Sequence, residues 1–81
     1  MSDIPDPPVY LQRIDPRRNM ARFYSIAVQP TLFGEMSLIR NWGRIGTSGR
    51  SMVQTFDRPD ALEQARDDIE RAKRRRGYAE T

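Results

Sequence analysis

Apolar and polar residues alternate through the middle of the chain and then change to a helical spacing. Residues 22–29 (Arg-Phe-Tyr-Ser-Ile-Ala-Val-Gln) put Tyr24, Ile26 and Val28 on one face and Phe23, Ser25 and Ala27 on the other. Residues 32–41 alternate again, with Leu32, Met36 and Leu38 on one side and Phe33, Glu35, Ser37 and Ile39 on the other. The link Pro30-Thr31 is short, so the two runs predict an antiparallel hairpin. Residues 9–14 are short and β-prone and read as an edge strand; residues 15–19 read as a polar turn. Gly43, Gly46 and Gly49 punctuate a further turn, and residues 51–56 resume a strand.

Beyond residue 58 the period lengthens. Leu62, Ala65, Ile69 and Ala72 fall at i, i+3, i+7 and i+10, a stripe along one side of a helix. Asp57 with Asp60 resembles a capping box, and Pro59 suits a first turn. Acids lead and cations follow, in the sense the helix dipole favours. Gly77 after Arg76 has the place of a C′ glycine. A helix is therefore predicted over residues 59–76. Its stripe is narrow and can lie close against a sheet. The expected fold is α+β: an antiparallel sheet of four to five strands with one C-terminal helix packed on one face. Residues 1–8 are acidic and proline-rich, without periodicity, and are expected to be a flexible leader. The domain is expected at 9–78, with 79–81 as a tail.

Composition narrows the chemistry. With 81 residues the chain is one domain with a small core. It has no cysteine and no histidine. That removes disulfides, zinc fingers, copper and haem sites, Ser-His-Asp and Cys-His nucleophiles, and histidine acid/base work. No metal and no cofactor is expected. The N-terminus lacks the pattern of a signal peptide, and no run approaches the roughly 20 apolar residues of a membrane span. A cytoplasmic protein with no membrane partner is the expectation, with association with the nucleoid left open.

Charge changes the picture more. The 14 basic residues are 13 arginines and Lys73, against 11 acids, for a net charge of +3. The isoelectric point is about 10.0, a footprint of polyanion binding. The charge is uneven. Residues 16–56 hold Arg17, Arg18, Arg22, Arg40, Arg44 and Arg50 with Glu35 as the single acid, a balance of 6 − 1 = +5. Residues 59–81 hold six cations and six acids and are neutral, though polarised along their length.

The densest signal is Trp42-Gly43-Arg44-Ile45-Gly46-Thr47-Ser48-Gly49-Arg50. Glycines let a backbone approach a ligand closely, exposed N–H groups can form an anion nest, and arginines can clamp phosphate. A tryptophan offers a flat face to a sugar or base. The competing reading is a glycine-rich hairpin turn with a core tryptophan. The spacing is not G-x-G-x-x-G, and no lysine completes a P-loop. Leu38, Arg40, Trp42 and Arg44 share a parity, so this strand's core side runs out into Arg-Trp-Arg, as the rim of a binding face does. Residues 17–24 form a second basic patch beside Phe23 and Tyr24, as single strands or exposed ends require. Residues 71–76 form a cationic helix end, read as dipole matching or as a phosphate contact. Asp60, Glu63, Asp67, Asp68 and Glu70 share one helix and form its solvated face. No carboxylate pair is spaced for acid/base exchange, so an enzyme is not expected.

The run at 42–50 resembles the WGR domain, named for the triplet seen here as Trp42-Gly43-Arg44. The resemblance extends to Arg22-Phe23-Tyr24 in an early strand, to Phe56 before the helix, and to the basic helix closing in Gly77-Tyr78. It covers about residues 9–78 and is similar to small bacterial chains that are little more than such a domain. It implies a sheet with one helix and a nucleic-acid-binding role. In poly(ADP-ribose) polymerases a WGR domain helps recognise DNA ends. The motif Trp packs there on a terminal nucleotide's sugar, and the motif Arg takes part in DNA or interdomain contacts. Those positions correspond to Trp42 and Arg44; the segment 22–24 and the helix-end cations correspond more loosely. No transferase domain and no zinc fingers accompany the run here, so that activity does not transfer. Arg50 stands where many relatives have a neutral polar residue.

The functional expectation is a non-catalytic module for nucleic acid, DNA rather than RNA, with a preference for ends, nicks or single-strand junctions. Trp42 stacks, Gly43 lets the backbone approach, Arg44 and Arg50 hold phosphate, and Arg17, Arg18, Arg22 and Arg40 widen the cationic face beside Tyr24. The alternative is a protein-interaction module that docks a partner through the same loop.

Overall fold

A computed structural model describes residues 8–80; residues 1–7 of the expected leader, and Thr81, lie outside the described residues. The chain forms β1 (Val9–Asp15), β2 (Met20–Pro30), β3 (Met36–Arg44), β4 (Arg50–Phe56), α1 (Pro59–Arg75) and β5 (Ala79–Glu80). The sheet order is β4-β3-β2-β1-β5, and every neighbouring pair is antiparallel. The α+β expectation holds, with five strands and one helix.

Two connections follow from local chemistry. Asp15 caps a 3-10 turn at 16–18 by accepting the Arg17 N–H at 3.1 Å, and Asn19 closes it with φ 52°. The β2–β3 hairpin is longer than its sequence suggested. Thr31 Oγ1 accepts the Phe33 and Glu35 N–H groups, the Thr31 N–H reaches the Glu35 carbonyl at 2.9 Å, and Gly34 turns at φ 83°. Leu32 and Phe33 therefore sit on the loop, 97% and 88% exposed, and the strand begins at Met36 rather than at 32. The hydroxyl of Thr31 offered the backbone a turn that alternation alone did not reveal.

Residues 9–14 do not end the sheet, because Leu11 and Gln12 pair with Glu80 and Ala79 of β5. Two of the three residues expected as tail, Ala79 and Glu80, are thus a strand. The cause lies in the helix C-terminus. Gly77, at φ 98°, donates to the Arg74 carbonyl at 3.0 Å, and the Tyr78 N–H donates to the Lys73 carbonyl at 3.1 Å. This is a Schellman reversal, and it sends the chain back along β1. At the other end Arg58 is the N-cap and makes no side-chain cap; its guanidinium instead holds Asp60 at 2.8 Å. The expected capping box does not form.

Registers fix the faces. Tyr24 faces Trp42, Val28 faces Leu38, and Val9 and Leu11 face Ile26 and Tyr24 across β1. Directly paired residues share a face, so these side chains all lie on the side α1 covers. Tyr24, Ile26, Leu38 and Leu62 form the core, with Val28, Met36, Phe56, Ala65 and Ile69 packed against it. The stripe predicted on α1 ends differently. Ala72 is exposed and Lys73, one position on, is half-buried against the sheet. A period of 3.6 residues carries the contact line from Ile69 to residue 73.

Candidate nucleic-acid interface

The core face of the sheet is graded along its strands. Leu38 lies opposite Val28, then Arg40 opposite Ile26, then Trp42 opposite Tyr24, then Arg44 opposite Arg22. No bulge interrupts the register, so the parity argument for Arg40, Trp42 and Arg44 holds. Arg22 also faces Arg13 on β1. Three arginines thus form one row across β1, β2 and β3 at the sheet end. Beneath it lies a row of Leu11, Tyr24 and Trp42.

Helix α1 ends over these rows. Arg13, Arg22, Tyr24, Trp42, Gly43, Arg44, Lys73, Arg76 and Tyr78 enclose an open groove of about 470 Å³. Its floor is aromatic. Tyr24 stacks on Trp42 with ring centroids 5.8 Å apart and planes 17° apart, and meets Tyr78 edge-on at 6.3 Å. Lys73 Nζ stands 4.6 Å from the Tyr24 ring centroid and 5.7 Å from that of Tyr78. Partial burial, followed by the charges of Arg76, Arg40 and Arg22, holds the Lys73 ammonium below its usual pKa of 10.5.

None of the nine lining residues is acidic, and five are cations. Among the described residues the ion pairs of Arg18, Arg58, Arg71 and Arg74 lie elsewhere. The Arg44 guanidinium makes one long contact, Nη1 to the Asn19 carbonyl at 3.4 Å. Such a concentration of unneutralised cations over aromatic rings suits an anion that also carries flat or apolar surface.

The start of the glycine run lines this site, and its later glycines close the turn behind it. Gly43 and Gly49 are packed so closely that a Cβ on Gly43 would come within 2.8 Å of the Gly49 Cα. Asn41 Nδ2 ties the loop by donating to the Ser48 carbonyl at 3.1 Å and the Arg50 carbonyl at 2.9 Å. The Ile45 N–H donates to the Ala21 carbonyl and the Thr47 N–H to the Arg44 carbonyl, at 2.9 and 3.1 Å. These two amides are engaged within the protein and are not offered to an anion. The loop folds over the outer face, where Phe23 is buried and stacks on Tyr10 at 6.0 Å.

The structure divides the residues expected at the site. Trp42, Gly43, Arg44, Arg22 and Tyr24 come together in the groove. Arg40 lies one row inward and is half-buried, with Nη2 2.6 Å from Met52 Sδ and a buried Nε that has no partner among the described residues. Arg50 stands opposite Trp42 on β4, exposed and outside the groove lining. Arg17 and Arg18 belong to the 3-10 turn, where Arg18 Nε is 3.6 Å from Asp15, and they do not line the groove. Four further residues line the groove: Arg13, Tyr78, and Lys73 and Arg76 of the cationic helix end read as dipole matching or a phosphate contact. Arg13 shares the parity of Leu11, which could have placed it. The others depend on where the helix ends and how it reverses.

Among the described residues no group of three or more acidic side chains could hold a metal ion, and no helix is long and apolar enough to cross a membrane. The family model described as "WGR domain" matches residues 8–81. An uncharacterized protein of Sinorhizobium fredii, y4dW, is 47% identical over 70 residues, which is 86% of this chain and 34% of that protein. The chain thus spans about a third of the length of that curated relative. No solved structure matches it.

Proposed function

Because this chain belongs to the WGR domain family, a non-catalytic domain, we propose that its groove binds nucleic acid and performs no chemistry that breaks or joins strands. The observation that carries this reading is a groove whose walls hold five cations, three aromatic rings and no acid. Phosphates meet Arg13, Arg22, Arg44 and Arg76. A sugar or base lies against Trp42, with Tyr24 behind it. The family supports a nucleic-acid-binding module; the finer reading is DNA, at ends, nicks or single-strand junctions, within a bacterial cytoplasm. The groove is bounded by the helix end, so a terminal or opened nucleotide enters it more readily than a stacked one within a continuous duplex. Arg50 and Arg40 flank the groove, and Arg17 and Arg18 are peripheral.

Fluorescence anisotropy with end-labelled duplex, hairpin and single strand, over a range of salt, tests the reading. The expected result is binding with a steep salt dependence that Trp42→Ala and Arg44→Ala weaken. Absence of binding even at about 50 mM salt, where phosphate contacts are strongest, would overturn it.

A further inference from the structure

Thirteen of the fourteen basic residues are arginine, and the single lysine stands in the groove. The distinction is chemical. A guanidinium stays protonated and cannot attack carbon, whereas a lysine amine can. Lys73 is half-buried where α1 meets the sheet, with its Nζ over the Tyr24 ring and beside Tyr78. Arg76 on its own helix, Arg40 on β3 and Arg22 on β2 act on it electrostatically, and Arg13 and Arg44 line the same space. No carboxylate lines the groove to pair with the ammonium. Cationic neighbours and partial burial are the two means by which proteins free a lysine amine for attack on carbonyls. The pKa, lowered from 10.5, agrees with that geometry.

Resting on the nucleic-acid reading above, we propose that Lys73 Nζ captures an aldehyde on the bound strand as an imine, the carrier being the ring-opened deoxyribose of an abasic nucleotide. The arginines hold the flanking phosphates. Trp42 and Tyr78 occupy the flat space left by the missing base. The Lys73 ammonium gives one proton to solvent, and its lone pair forms a bond to C1′. The nitrogen then passes a second proton, through solvent, to the carbonyl oxygen, which becomes a hydroxyl. That hydroxyl takes up the proton first released and leaves as water while the nitrogen lone pair closes the C=N bond of the iminium. A C=N bond replaces the C=O bond, one water departs, and no oxidant or reductant is needed. The phosphodiester chain is untouched.

The test uses the full chain and a labelled duplex with one abasic site near an end. Borohydride reduces any iminium to a stable amine, which is counted on a denaturing gel, and anisotropy on the same duplex measures binding. A trapped adduct that, per duplex bound, falls about tenfold or more in Lys73→Arg is the expected result, because the arginine keeps the charge but loses the nucleophile. Peptide mass mapping of the wild-type adduct is expected to place it on residue 73, and it decides the matter alone if the variant does not fold. Binding without an adduct, or an adduct on the N-terminal amine, overturns the capture while leaving the nucleic-acid reading standing. Absence of both overturns the two together.

Discussion

Arg22 and Arg44 stand directly opposite one another on adjacent strands, and Arg13 faces Arg22 on the other side. Like charges in this position destabilise a sheet, by about 0.2–1 kcal/mol per pair relative to neutral residues. No lining carboxylate offsets the cost. The row is a local conflict of the kind that marks a binding site.

A multivalent anion is expected to relieve that conflict. Sulfate or a short oligonucleotide raises the melting temperature of the wild type by screening the row and binding it. Arg22→Gln raises stability at low salt by roughly 0.2–1 kcal/mol and blunts the response to sulfate. A thermal-shift series at fixed ionic strength checks both, and an unchanged sulfate response in Arg22→Gln would count against the row as the anion site.

Position within the groove is expected to govern the salt dependence of binding. Arg44→Gln or Arg76→Gln lowers the slope of log K against log salt by about 0.7–0.9 each, as loss of one phosphate contact does. Arg17→Gln and Arg18→Gln, outside the groove, leave the slope unchanged. Anisotropy titrations at four salt concentrations separate the two sets.

The glycines of the 42–50 run are expected to differ sharply. Gly49 has φ 70°, and a Cβ there would collide with the Trp42 carbonyl and lie 2.9 Å from the Phe23 ring. Gly49→Ala costs roughly 3 kcal/mol or more, through backbone strain and overpacking together. Gly46 has φ 96° but open space around it, so Gly46→Ala costs roughly 1–3 kcal/mol from strain alone. Urea unfolding ranks them.

Asn41→Ala removes the amide that holds the Ser48 and Arg50 carbonyls and the Ser51 hydroxyl. A loss of roughly 1–3 kcal/mol is expected, with faster amide exchange confined to the turn. Its side chain does not enter the groove, so the salt slope stays at the wild-type value.

Lys73 gives the fold a pH dependence of known sign. Its folded pKa lies below the unfolded value, so the unfolded chain binds more protons in the interval between them. The cost of the buried ammonium is present in full below the folded pKa and disappears as the pH rises towards 10.5. Arginine remains charged throughout. Wild type is therefore expected to gain stability relative to Lys73→Arg across that interval, measured as the difference in urea midpoint.

The sequence by itself determined the α+β class, the faces of the central strands, the helix and its glycine stop, because each rests on local periodicity or on a single backbone preference. Tyr24, Ile26 and Val28 had to share a face of one strand, and Leu38, Arg40, Trp42 and Arg44 a face of the next; that the two faces are the same came from the register of the longer hairpin. It also placed the functional weight on the Trp-Gly-Arg run. The reach of the site was a tertiary matter. Alternation gave Arg13 a face but no neighbours until β1 paired in register with β2. Lys73 replaced Ala72 on the contact line because a helix advances 3.6 residues per turn and its final orientation depends on what it packs against. Tyr78 entered the groove, and residues 79–80 joined the sheet, because one positive-φ glycine reversed the chain over β1. Arg17 and Arg18 lie outside the groove lining for the opposite reason: a local aspartate holds their turn. Charge counted along a chain locates a cationic stretch; only pairing across strands shows which of its cations stand together.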